Sequence, residues 1–241
     1  MTMATADASA DNGSIRIRLS GEIDRANVDA IEDQIRAAVS GQLTGVSVDL
    51  TDVRYIDSTG KRLLFDLASH TQESHLVLEL IVPFDSAIRR LIELSGLQSL
   101  AAIVLFRHHG SDEIGPLELV VPAQPWSLKN VRHALRGWLK AVGANPHVVD
   151  DMLIAVGEAC SNAVDHAYGP EGGIVTVHLE LQWPDAVATI GDTGEWGLPP
   201  GDDRGRGTLF MQKCSDDLRI DHGPAGTTVV IRRCLLDDAA Q

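Results

Sequence analysis

Apolar and polar positions along the chain switch repeatedly between a period of two and a period near 3.6. Ser14 to Leu19 reads S-I-R-I-R-L, the alternation of a half-buried strand. From Ala26 to Val39 the apolar positions recur at helical spacing and stop at Gly41. Val46 to Leu50 (V-S-V-D-L) predicts a second strand, and T-D-V-R-Y-I-D predicts a short link to Ser58. There S-T-G-K-R-L-L-F-D-L-A-S-H predicts a helix with Ser58 at or beside its N-cap. Leu76 to Val82 predicts a strand, Ser86 to Leu94 a short helix stopped by Gly96, and Leu100 to Phe106 a last strand. Strands alternating with helices predict a small α/β domain over 14–106, preceded by a flexible tail over 1–13.

Arg107 to Gly115 (R-H-H-G-S-D-E-I-G) breaks this pattern and reads as a linker. His108 and His109 have no matched ligand cluster and read as solvated loop residues rather than metal ligands. A second folded region, 116–236, follows. Leu117 to Val121 predicts a strand, and Asn130 to Val142 a helix whose stripe is Val131, Leu135, Trp138, Leu139 and Val142. Gly143 closes it, and Pro146 opens a long helix running to Tyr168. Strands are predicted at Gly173 to Leu181 and Ala186 to Ile190. A helix follows R-G-R-G, and closing strands lie at Leu218 to Asp221 and Thr227 to Arg232. Within the long helix Leu153, Val156, Cys160, Val164 and Ala167 form one apolar stripe. Glu158 and Asn162, four apart, share a face roughly opposite it.

Composition adds limits. The 241 residues suffice for two ordinary domains, and 44% hydrophobic content can build their cores. The formal net charge of -14, from 34 acidic and 20 basic residues, disfavours phosphate backbones and anionic membranes as direct partners. No apolar run approaches the ~20 residues that span a bilayer, and Met1 to Ser14 lacks the basic and apolar regions of a signal peptide. Three widely spaced cysteines, Cys160, Cys214 and Cys234, fit reduced thiols in a cytoplasmic protein better than a disulfide framework.

Several positions carry chemistry, each with a plainer alternative. Ser58 is either a helix cap or a phosphoacceptor at a helix N-terminus, where free N–H groups and the helix dipole favour negative charge. Glu158 and Asn162 are either solvated or a proton acceptor and a neutral Mg²⁺ ligand. Asp192, in G-D-T-G at a strand end, either starts a turn or accepts a hydrogen bond from a base amine. Arg204, Gly205, Arg206 and Gly207 form either a flexible loop or a phosphate cradle before a helix. Thr227 and Thr228 are either ordinary strand threonines or hydroxyls at a nucleotide.

Three motifs of the first half, G-E-I-D-R-A at Gly21, Y-I-D-S-T-G at Tyr55 and I-R-R-L-I-E-L-S-G-L at Ile88, resemble the STAS domain of bacterial anti-sigma factor antagonists. That resemblance makes Ser58 the phosphorylated serine. The chain departs from the family after Gly60, where apolar and small residues are usual and Lys61 and Arg62 stand instead. In the second half, E-A-C-S-N-A-V-D-H-A-Y, D-T-G, G-R-G and G-T-T, in that order, resemble the GHKL ATP-binding fold, most of all the anti-sigma factor serine kinases. The fold class implied is a STAS domain, a small mixed sheet with helices, followed by a GHKL-type α/β sandwich.

By the second resemblance ATP and Mg²⁺ are the cofactors, Glu158 is the general base, Asn162 holds Mg²⁺ and Asp192 reads the adenine amine. Gly194, Arg204, Gly205, Arg206, Gly207 and Thr227 line the nucleotide, and His166 borders the phosphates or serves the structure. The expected function is partner-switching control of a sigma factor, with serine phosphorylation of STAS proteins in cis or trans. Expected partners are a sigma factor, STAS proteins, a serine phosphatase and a second copy. Trp196, in place of a second glycine, and a short lid between Asp192 and Gly205 motivate an alternative. In it, a nucleotide-dependent module sequesters a sigma factor or STAS partner without phosphotransfer.

Overall fold

The computed structural model describes residues 5–11, 14–39, 43–84, 86–106, 114–166, 173–194, 206–223 and 226–236. The chain divides into two compact units, Met1–Arg107 and His108–Gln241. Among the described residues no helix is long and apolar enough to cross a membrane.

The first unit is a five-stranded mixed sheet with three helices. Its strands are β1 (Thr5–Asp11), β2 (Ser14–Ile23), β3 (Gly45–Ile56), β4 (Val77–Pro83) and β5 (Ala102–Phe106), adjacent in that order. β1 runs antiparallel to β2, and the other pairs are parallel. Parallel neighbours need crossovers. Here α1 (Val28–Ala38), α2 (Ser58–Glu73) and α3 (Ala87–Ser95) supply them. The register places Ile17 beside Val48, Val48 beside Leu80 and Leu80 beside Ile103. All four are buried, as are Ile31 and Ile35 of α1, Leu63, Leu64 and Leu67 of α2, and Ile88 and Ile92 of α3. The hydrophobic periods of the sequence thus become one core.

Two expectations need correction, and a third becomes specific. Residues 5–11, read as part of a flexible tail, form β1. Apart from Thr5 the segment T-A-D-A-S-A-D lacks the branched and aromatic residues that mark a strand, but its backbone completes the sheet edge by pairing along β2. β3 continues through the link expected after Leu50, because Val53 and Ile56 remain on the buried side and pair with Gly21 and Ile23 across register shifts. The N-cap of α2 is Asp57, so Ser58 lies beside the cap, one of the two positions the sequence allowed. The Asp57 carboxylate accepts hydrogen bonds from the amides of Thr59 (2.7 Å) and Gly60 (3.0 Å), so Ser58 is the first residue of the helix.

The second unit is an antiparallel five-stranded sheet with helices packed on it. The strands are β6 (Leu117–Pro122), β7 (Ile174–Gln182), β8 (Asp185–Asp192), β9 (Asp217–Gly223) and β10 (Gly226–Cys234), in the order β6-β7-β8-β10-β9. α4 (Leu128–Ala141) buries Val131, Leu135, Trp138 and Leu139, and the Trp138 indole donates to the carbonyl of Gly115 at 2.9 Å. α5 (Pro146–His166) begins with Pro146 behind Asn145, whose side-chain oxygen accepts from the Val148 amide at 2.9 Å. It packs against α4, β7, β8, β10 and the short α6 (Arg206–Lys213). Its core side carries Met152, Leu153, Ala155, Val156, Ala159, Cys160 and Ala163, wider than the stripe predicted, whereas Val164 is only half-buried. Tyr168 and Ala167, predicted in this helix, lie outside the described residues.

Candidate functional site

Glu158 and Asn162 stand one turn apart on α5, away from the fully buried side, and both are half-buried rather than solvated. The cover over Glu158 comes from α6. A Cβ built on Gly207 collides with Oε1 of Glu158 and lies 3.0 Å from Cδ and 3.2 Å from Cγ. Only a residue without a side chain lets the first turn of α6 approach this carboxylate so closely. Sequence spacing placed Gly207 before a helix. The contact that makes it necessary joins residues 49 positions apart and has no sequence signal.

A second cluster forms where β8 ends beside the start of β10. Asp192 is buried, and its Oδ1 accepts from the Gly194 amide at 3.1 Å, closing the turn read in G-D-T-G. Gly226 has φ +116°, and a Cβ there collides with the Asp192 carbonyl oxygen and lies 2.8 Å from Cα of Thr193. The next residue, Thr227, is buried, and its hydroxyl lies 3.2 Å from Nδ1 of His222 on β9. Asp192, Gly194 and Thr227 are therefore brought to one end of the sheet. The roles of Gly226 and His222 were not read from the sequence. The signal was the glycine directly before two strand-forming threonines.

Arg204 and Gly205 lie outside the described residues, as does Trp196. Arg206 begins α6, and His166 ends α5. No group of three or more His, Cys, Asp or Glu residues able to hold a metal occurs among the described residues. Cys160 is fully buried, and burial pushes its thiol up to about 12, which excludes it as a nucleophile at neutral pH.

In the first unit Ser58 is exposed at the start of α2. The Asp57 carboxyl beside it is held below the usual carboxylate range, first by the Thr59 hydroxyl and then by the amides of Gly60, Thr59 and Arg25. Asp57 is thus ionised at neutral pH and satisfied by its own loop, leaving the Ser58 hydroxyl facing solvent.

Comparison with known proteins matches each unit separately. The family model described as "Mlab, STAS domain" matches residues 6–105, and the model described as "Histidine kinase-like ATPase domain" matches residues 121–233. The serine-protein kinase RsbW of Bacillus velezensis is 29% identical over 143 residues, covering 52% of this chain and 89% of the kinase. Its counterpart from Bacillus subtilis is 29% identical over 137 residues, covering 49% of this chain and 85% of the kinase. Among solved structures, the RsbU and RsbW domains of a Mycobacterium tuberculosis protein match at 29% identity and a TM-score of 0.43, covering 50% of this chain and 32% of that one. An anti-sigma factor antagonist from Mycobacterium paratuberculosis matches at 26% identity and a TM-score of 0.36, covering 42% of this chain and 85% of that one. Within one chain, residues 6–105 thus match a STAS domain model and residues 121–233 a histidine kinase-like ATPase domain model.

Proposed function

We propose that this chain is a partner-switching regulator of a sigma factor, in which the ATPase-like domain phosphorylates serine on STAS proteins and its own STAS domain carries the acceptor Ser58. The observation that carries this reading is the pairing within one chain. A domain related over nearly the full length of serine-protein kinases is joined to a STAS domain with an exposed serine at a helix start.

Each side chain has a definite task in this reading. Asp192, which closes the Gly194 turn, accepts from the adenine amine, and Thr227 supplies a hydroxyl at the same end. Gly194, Gly207 and the stretch with Arg204, Gly205 and Arg206 are assigned to the nucleotide, since N–H groups at a helix start and guanidinium charge both suit phosphate. Asn162 offers a neutral oxygen to Mg²⁺. The bound metal supplies charge neutralisation between the phosphates. Glu158, pinned against Gly207, accepts the proton of the acceptor serine as the serine oxygen bonds to the γ-phosphorus and ADP leaves. The acceptor is Ser58 of the same chain, Ser58 of a second copy, or the serine of a separate STAS protein. A sigma factor and a serine phosphatase complete the set of partners.

Radiolabelled ATP separates this from capture without chemistry. Label is expected on wild type or on an added STAS protein. It is expected to be lost from both with Glu158→Ala, and from this chain alone with Ser58→Ala. ATP binding with no label on this chain or on any STAS protein would sink the kinase reading.

A further inference from the structure

Beside Ser58 the first unit has a groove of about 510 Å³ between the start of α2 and α3, lined among others by Tyr55, Ser58, Lys61, Arg90, Leu91 and Leu94. Its apolar surface is open: Tyr55 is 54% exposed and Leu94 is 78% exposed. Its charged residues are sorted in a particular way. Arg62 points to Asp66 at 3.7 Å, and Arg89 pairs with Glu93 at 2.7 Å and lies over the Phe84 ring at 4.4 Å. Lys61 and Arg90, their immediate neighbours in sequence, line the groove and make no ion pair among the described residues. Lys61 follows Ser58 by three residues on α2, which sets the two side chains on one face about 5–6 Å apart at Cβ. The remaining titratable groups of the groove are the Tyr55 hydroxyl and Asp57, whose carboxylate is already occupied by the N–H groups of Thr59, Gly60 and Arg25.

From this arrangement we propose that Lys61 and Arg90 are a clamp for a phosphate on Ser58, one cation from each wall of the groove. The inference rests on Ser58 being a phosphorylation site and adds how the modified state is held. A phosphoserine carries a charge of about -1.5 to -2 near neutral pH, which two cations balance. Arg90 can take two phosphate oxygens in a fork, and Lys61 supplies a compact charge. The Ser58 phosphate, drawn inward, covers Leu91 and the rim at Leu94 and cancels both positive charges. One modification therefore changes shape, polarity and charge of the same groove.

The test installs phosphoserine at position 58 during translation of the full chain, so that it does not depend on any kinase activity. The phosphorus NMR signal is followed through its second ionisation in wild type, Lys61→Ala, Arg90→Ala, the double variant and Lys61→Arg. Facing cations favour the dianion, so the wild-type phosphate should titrate at least about half a unit below a phosphoserine peptide. Each single alanine should remove part of that shift and the double variant nearly all of it, while Lys61→Arg retains it. Both side chains lie outside the core, so unchanged melting curves are expected in every variant. Identical titrations in wild type and the double variant would overturn the clamp. Loss of radiolabel transfer with the shift intact would count against the kinase reading and leave the clamp standing.

Discussion

Gly207→Ala puts a methyl group into the Glu158 carboxylate. The new Cβ lies 3.0 Å from Cδ and 3.2 Å from Cγ of Glu158 and collides outright with Oε1. Unstrained carbon contacts need about 3.5–4.0 Å, so the carboxylate must retreat by on the order of 1 Å. The obstacle is the far end of a long side chain and not backbone, so the chain yields by turning Glu158 aside while the fold persists. Alanine in place of glycine within a helix favours folding by roughly 0.5–1 kcal/mol. A reacting group displaced by about 1 Å loses on the order of 100-fold in rate, or about 2.7 kcal/mol of barrier. The expected result is therefore split: melting temperature equal to or above wild type, and phosphotransfer to a STAS substrate about 100-fold slower. Under the proposed function the nucleotide is also held at the Asp192 end, so nucleotide affinity should change much less. Calorimetric melting, nucleotide titration and a labelled-ATP time course measure the three terms. Wild-type turnover in this variant would refute the role of the Glu158–Gly207 contact, and a melting temperature lowered by several degrees would show the contact to be rigid.

Three further outcomes follow from the same structure. Gly226→Ala must hold alanine at φ +116° and press its Cβ to within 2.7 Å of the Asp192 carbonyl carbon; a loss of at least about 2 kcal/mol in urea unfolding is expected, with weakened nucleotide binding, and an unaltered midpoint would contradict it. Burial works to raise the Asp49 carboxyl, but the Thr51 hydroxyl and amide, helped by Arg16, outweigh it and hold the group below its ordinary value. Asp49→Ala should cost about 2–3 kcal/mol at neutral pH. Since the folded value is the lower one, that contribution is complete above about pH 4 and disappears as pH falls through the folded value, so the wild-type and variant acid-unfolding curves should converge there. Curves separated by a constant amount at every pH would show that the ionised carboxylate is not the source. Cys160, its thiol pushed up to about 12 by burial, should resist thiol reagents at pH 8 until denaturant is added; modification of the native chain at that residue would contradict its burial.

The elements of both units were legible wherever burial imposed a period, as on β2, α4 and α5, because a side chain's face follows directly from its spacing. β1 was not legible, since T-A-D-A-S-A-D carries no alternating apolar pattern and its place comes from pairing with β2 and contact with α1. The α2 cap was legible to within one residue, since Asp57 and Ser58 are both good capping residues and only the geometry chooses between them. The same division holds at the candidate site. Glu158 and Asn162 on one helical face, and Asp192 at a strand end, follow from the order of local motifs. The approach of Gly207 to Glu158, and of Gly226 to Asp192, depends on how distant elements pack, as does the grouping of Lys61 and Arg90 around Ser58.

Peptide mass spectrometry of Ser58 after incubation with ATP and Mg²⁺, at several protein concentrations and with Glu158→Ala alongside, tests the central claim most directly. A single phosphate at Ser58 is expected in wild type and not in Glu158→Ala. A rate independent of concentration would assign transfer within one chain, and a rate rising with concentration transfer between copies. Ser58 unmodified at every concentration, together with no phosphate on a separate STAS protein under the same conditions, would contradict the account.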